Sequence, residues 1–123
     1  MRLLIADDSE ILRSRLVDLL SEVEGVKLVG EVRESNETIE AVGRLNPDIV
    51  ILDIRMPGGD GILALEEIKR KPKPPIVIMF TNHPYLQYRK RCMDAGADFF
   101  FYKSTEFEAL LALLKKLVRK VDP

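Results

Sequence analysis

Three aspartates, a threonine and a lysine stand out because they lie at the ends of short apolar runs. Asp7 and Asp8 follow LLIA, Asp53 follows IVIL, Thr81 follows IVIMF and Lys103 follows FFFY. Brought together, three carboxylates pose a charge problem. Two unit charges about 4 Å apart interact by about 4 kcal/mol at an effective dielectric near 20. Proton uptake or a cation relieves repulsion of that order. Lys103 offers one positive charge against three negative ones, so a divalent cation is the natural remainder. All-oxygen ligands select a hard ion, and a site with few carboxylates and room for water suits Mg2+. A metal, a hydroxyl and an ammonium around a carboxylate make a cradle for a phosphoryl group. Asp53 would be the nucleophile, since carboxylates form aspartyl phosphates. Thr81 and Lys103 would hold phosphoryl oxygens, in a chemistry governed by positioning and electrostatics.

Such a gathering needs elements that end in one place. Apolar, β-rich runs predict strands at 2–6, 26–32, 48–52, 75–80 and 98–102. LLIA, IVIL and IVIMF are apolar throughout, which suits strands buried on both faces of a parallel sheet. Helices are predicted between the strands. The first carries Ile11, Leu12, Leu16, Leu19, Leu20 and Val23 as one apolar stripe. The second runs over about 35–45 and is stopped by Pro47. The third starts after Asp60, a good N-cap, and ends before the Pro72 to Pro75 breaker. Pro84 suits the first turn of the fourth, and Gly96 its C-cap. Thr105 and Glu108 have capping-box spacing for the fifth, whose apolar face carries Leu110, Leu111, Leu114, Leu117, Val118 and Val121.

Five βα units in series predict an α/β fold, a doubly wound parallel sheet with helices on both faces. The flavodoxin-like strand order 2-1-3-4-5 fits best, and it makes strands 1, 3, 4 and 5 neighbours. Ligands of such sheets bind beyond the carboxyl ends of the strands, where all five polar residues are expected.

The 123 residues fit one domain, taken as 1–121 with 122–123 as a tail or the start of a linker. Hydrophobic residues make up 46%, enough for a substantial core. Lysine plus arginine (19) nearly balances aspartate plus glutamate (20), so the charge signature of a nucleic-acid binder is missing. One cysteine, Cys92, permits no internal disulfide and fits a reducing, cytoplasmic setting. No signal peptide or membrane-length apolar run is read, so neither a membrane nor nucleic acid is an expected partner.

Asp7-Asp8, Asp53 in LDIRMPGGDG, Thr81 after IVIMF and Lys103 after FFFY together resemble the response-regulator receiver family. The resemblance covers essentially the whole chain. It implies a signalling switch in which Asp53 accepts phosphate from a sensor histidine kinase or phosphotransfer protein. It implies Mg2+ bound by Asp7, Asp8, Asp53 and the backbone carbonyl of Arg55, with Thr81 and Lys103 reading the phosphoryl group. Thr81 would be coupled to Phe100, and the output would pass to a downstream effector domain or protein through helix 4, strand 5 and helix 5, near Leu86 and Tyr88. Arg55 and His83 stand at positions that tune phosphoryl lifetime in the family. FTNHP and AGADFF look most like receivers of regulators with a helix-turn-helix output domain. Two departures are Ser104, where many members have proline, and Asn82, where a small residue is usual.

Each residue alone has an ordinary structural reading. Asp7, Asp8 and Ser9 could cap a helix, Asp53 a loop, and Lys103 could be a surface lysine. Cys92 reads as a packing residue, and His83 as a loop or N-cap residue. The basic end (Lys115, Lys116, Arg119, Lys120) reads as a solvated helix face favoured by the macrodipole. Two rivals to the switch are a small Mg2+-dependent phosphotransferase or phosphatase and a degenerate receiver serving only as an interaction module. The first would be expected to carry an acid two residues after the nucleophile, where Arg55 stands. The chain is read as no enzyme beyond self-catalysed transfer to Asp53 and its hydrolysis. Kinase, signal, output and homodimer formation stay open.

Overall fold

The structure, a computed structural model, describes residues 1–82 and 86–121. The elements run β1 (Arg2–Ala6), α1 (Glu10–Leu20), β2 (Lys27–Val32), α2 (Ser35–Leu45), β3 (Ile49–Leu52), β4 (Arg55–Met56), β5 (Gly59–Asp60), α3 (Gly61–Lys69), β6 (Ile76–Thr81), α4 (Leu86–Asp94), β7 (Phe99–Tyr102) and α5 (Phe107–Val121). Five strands form a parallel sheet in the order β2-β1-β3-β6-β7, the expected flavodoxin-like winding. The short strands β4 and β5 form a separate antiparallel pair.

The apolar runs are divided between two cores by the two-residue pleat. Leu4, Ala6, Val50, Leu52, Val77 and Met79 face α2, α3 and α4. Leu3, Ile5, Ile49, Ile51, Ile78 and Phe80 face α1 and α5, where Leu16, Leu20, Leu110 and Leu114 meet them. Both faces are therefore covered, which is why these strands carry no alternation of polar residues.

Helix ends follow their local chemistry. The Ser9 hydroxyl accepts from the Leu12 amide at 3.2 Å and starts α1. Asp60 accepts from the Ile62 amide at 2.8 Å and starts α3. Asn46, left-handed at φ 50°, ends α2 one residue before Pro47. Gly96, at φ 104°, ends α4, and the Ala97 amide donates back to the Cys92 carbonyl at 3.0 Å. That pattern is a Schellman stop.

Several expectations need correction. Strands β2, β3, β6 and β7 start one residue later than read, and β6 includes Thr81. Ile11 is not part of the α1 stripe; it is 84% exposed, because the helical phase set by Ser9 turns Arg13, Leu16 and Leu20 inward. Val23 lies beyond the end of α1 yet is buried. The Thr105–Glu108 capping box does not form. α5 begins at Phe107, and Glu106 before it accepts the Tyr102 amide on its carboxylate at 2.9 Å. Pro84, the 122–123 tail and the side chains of Lys120 and Val121 lie outside the described residues. Among the described residues no helix is long and apolar enough to cross a membrane.

The β4–β5 hairpin fills the connection from β3 to α3. Arg55 pairs with Asp60 and Met56 with Gly59. Pro57 and Gly58 form the turn, with Gly58 at φ 81° where a type II turn wants glycine. Gly61 closes the connection. Its amide donates to the Ile54 carbonyl at 2.7 Å, and a Cβ there would stand 2.1 Å from the Asp53 carbonyl oxygen.

The same substitution should therefore act with opposite sign at two glycines. Gly61→Ala meets backbone that cannot yield and is expected to cost about 3 kcal/mol. Gly43→Ala, exposed in the last turn of α2 with only Lys71 Nζ near its Cβ at 3.7 Å, is expected to stabilise by about 0.5–1 kcal/mol. Leu114→Ala should cost about 2–5 kcal/mol from the buried α5 face, and Ile11→Ala should stay within about 0.5 kcal/mol of the parent. Urea unfolding of the four variants checks each sign.

Candidate functional site

The ends of β1, β3, β6 and β7 lie side by side, so the residues after them meet. One carboxylate oxygen each from Asp7, Asp8 and Asp53 fall within 4.8 Å of one another. Asp7 and Asp53 are buried, and Asp8 is exposed. Lys103 bridges the buried pair: its Nζ lies 2.5 Å from Asp7 Oδ2 and 2.8 Å from Asp53 Oδ2.

Backbone anchors hold these side chains in place. The Asp7 amide donates to the Val32 carbonyl at 3.0 Å, and the Asp53 amide to the Ala6 carbonyl at 3.1 Å. Asp7 Oδ1 accepts from the Ser9 amide at 2.9 Å, and Asp53 Oδ1 from the Ile54 amide at 2.7 Å. The Lys103 amide donates to the Thr81 carbonyl at 2.9 Å, which sets the lysine beside the fully buried threonine.

The electrostatics match this layout. Burial pushes the Asp7 carboxyl above the ordinary aspartate value; hydrogen bonds from Lys103 and Ser9 oppose the rise without cancelling it. Burial works against the charge on Lys103, but Asp53 and Asp7 outweigh it, and the ammonium holds its proton more tightly than a free lysine does. Among the described residues the pocket is thus net negative, and the ammonium of Lys103 is shared between two acids.

The donor set fits a hard divalent ion. It consists of carboxylate oxygens, two acids anchored by main-chain bonds and a third on the solvent side, where water could complete a coordination shell. Next to it opens a cleft of about 450 Å³, lined by Asp8, Arg55, Met56, Pro57, Asp60 and Tyr88, among others. Arg55, exposed at the start of the hairpin, is on its wall.

Phe100 is not in the pocket. It is buried on the face of β7 that packs against α4, with its ring edge-on to Tyr102 at 5.3 Å and the Arg89 guanidinium 5.6 Å from its centroid. Leu86 is exposed and Tyr88 half-buried on α4. His83 lies outside the described residues. Ser104 and Asn82 are both exposed beside their neighbours Lys103 and Thr81. Cys92 is buried, and burial pushes its thiol up to about 11, which suits packing rather than nucleophilic work.

Two contributors were missed in the sequence. Arg13 donates from Nη1 to the Asp7 carbonyl at 2.6 Å; its signal was a charge in phase with Leu16 and Leu20. Gly61 lets α3 approach the Asp53 carbonyl; its signal was a glycine in the first turn of a helix, where its propensity is poor.

The sequence matches the family model described as the response regulator receiver domain over residues 3–115. The transcriptional regulatory protein PdtaR of Mycobacterium tuberculosis is 35% identical over 119 residues, covering 97% of this chain and 57% of that protein. A protein-glutamate methylesterase/protein-glutamine glutaminase of Alkalilimnicola ehrlichii is 38% identical over 105 residues, covering 84% of this chain and 27% of that protein. The chain spans well under two thirds of the length of both relatives. Among solved structures, the response regulator domain of Thermotoga maritima CheB superposes with a TM-score of 0.84 at 31% identity, with 100% of this chain and 98% of that one covered. A family model across most of the chain, a relative that matches nearly the whole of this chain and the shared winding agree: the chain belongs to the response regulator receiver domain family.

Proposed function

We propose that this receiver domain is a Mg2+-dependent switch that accepts a phosphoryl group on Asp53. The observation that carries the reading is the sharing of one partly buried ammonium, Lys103, between Asp53 and Asp7 at the mouth of an acidic cluster. Asp7, Asp8, Asp53 and the main-chain carbonyl of Arg55 would hold Mg2+, which when bound supplies charge to offset the phosphoryl oxygens. An Asp53 carboxylate oxygen forms the new bond to phosphorus as the bond from phosphorus to the donor breaks. The donor atom, an imidazole nitrogen of a histidine kinase or phosphotransfer protein, leaves with the electron pair. Lys103 turns from Asp53 Oδ2 to a phosphoryl oxygen, and the Thr81 hydroxyl donates to another. Movement of Thr81 then biases a two-state equilibrium, read through Phe100 and the face made by α4, β7 and α5. Arg55 and His83 tune how long the phosphoryl group survives.

The catalysis of this chain is confined to that transfer and to hydrolysis of the aspartyl phosphate, which releases inorganic phosphate and restores the Asp53 carboxylate. The domain works in the cytoplasm and hands its state to an effector domain or protein, or to a second copy of itself, with no direct contact to nucleic acid or membrane. A phosphatase reading has little support, since Arg55 occupies the place of the expected second acid. The degenerate receiver serving only as an interaction module is disfavoured by the assembled acids and lysine.

Intact mass after incubation with a small-molecule phosphodonor and Mg2+ is expected to show one phosphoryl adduct, lost in Asp53→Asn and in EDTA. A wild type that takes no adduct from such donors or from a cognate kinase would overturn the switch. The pH dependence follows from Asp7, which must shed its proton to bind metal. Its pKa is raised, so protons compete at higher pH than they would at an exposed aspartate. Mg2+ affinity is expected to fall on acidification, starting above the ordinary aspartate value of 3.8; Mg2+ titrations at stepped pH would show it.

A further inference from the structure

Arg13 is a cation at a helix position that packs on a sheet, where an apolar side chain is the rule. Only 6% of it is exposed, and it shares the inward stripe of α1 with Leu16 and Leu20. A buried charge persists where hydrogen bonds and counter-charge are supplied. Here Nη1 donates to the Asp7 carbonyl at 2.6 Å, and Nε lies 3.4 Å from Glu31 Oε1 on β2.

The bonded carbonyl belongs to the peptide that joins Asp7 to Asp8. The amide of Asp7 is already tied to Val32, and its side chain to Ser9 and Lys103. Apart from turning of the exposed Asp8 side chain about its own Cα–Cβ bond, rotation of the Asp7–Asp8 peptide is a movement that could still carry Asp8 away from the other two acids while β1 stays intact. The guanidinium opposes that rotation. We propose that Arg13 is a positioning residue for the ion of the acidic pocket, locking the Asp7–Asp8 peptide so that both carboxylates face one cation, with Glu31 orienting the guanidinium. This rests on the reading of Asp7, Asp8 and Asp53 as Mg2+ ligands.

The sign of the effect separates this role from simple charge. As a nearby positive charge, Arg13 would weaken cation binding, and its removal would tighten it. As a positioning residue, its removal weakens binding, as loss of supporting contacts behind metal ligands commonly does, by about tenfold or more. Arg13→Met keeps an apolar stem of similar length in a buried site, and loss of the donor to the Asp7 carbonyl is expected to cost about 1–3 kcal/mol of stability.

The experiment is a titration of the folded protein with Mg2+ alone, followed by backbone amide NMR shifts, at a temperature where circular dichroism reports every variant folded. Arg13→Met is expected to raise the Kd about tenfold. Arg13→Lys, which keeps a charged donor, should recover most of that loss. Glu31→Gln, a surface change, should weaken binding about twofold to threefold. Leu114→Ala, destabilised away from the pocket, should bind as the wild type does. Unchanged or tighter binding in Arg13→Met overturns the proposal, as does equal weakening in Leu114→Ala. If Arg13→Met fails to fold, unchanged binding in Glu31→Gln overturns it. A wild type that binds no Mg2+ removes the metal reading itself, and this proposal with it.

Discussion

The structure depends on keeping two carboxylates, Asp7 and Asp53, buried beside each other. Like charges at that separation repel strongly in a poorly polarisable interior. Lys103 answers by standing between them, 2.5 and 2.8 Å from their oxygens. The lysine can do so only because β6 lies between β3 and β7 and Lys103 is tied to Thr81 by a main-chain bond. Strand order, register and the ion pair are therefore one constraint. A parallel sheet aligns the carboxyl ends of its strands, and that alignment turns residues scattered over the chain from 7 to 103 into one pocket.

The fold was legible because the strands are buried on both faces and read as unbroken apolar runs. Proline and glycine marked many boundaries, and Asn46 before Pro47, Asp60 and Gly96 behave as their types require. The acids and the lysine were legible for the same reason: they are the first polar residues after such runs, with Asp8 directly behind Asp7. Their roles toward an ion or a phosphoryl group rest on that chemistry and on family membership.

Other features were hidden because their cause is tertiary. Ile11 fits a helical stripe on paper, but the hydroxyl of Ser9 fixes where the helix starts and so which face is inward. Arg13 takes a core position because the Asp7 carbonyl and Glu31 wait for it there. The β4–β5 hairpin is only two residues per strand, too short for any periodic signal. Thr105 has the spacing of a cap, but Glu106 and Tyr102 bond to each other and delay the helix.

That last contact has a consequence for how the molecule behaves among its own copies. β7 is an edge of the sheet, and its sequence, Phe99 to Tyr102, is entirely aromatic. An open edge of that kind is a template for foreign strands and the start of aggregation. The carboxylate of Glu106 takes the Tyr102 amide, so part of the outward-facing ladder is satisfied within the chain. Asp98 sits at the other end of the strand, its carboxylate held by Lys69 and the Val77 amide. Acids at both ends of an aromatic strand act as gatekeepers, so a residue that disrupts a helix cap also protects the colloidal stability of the domain.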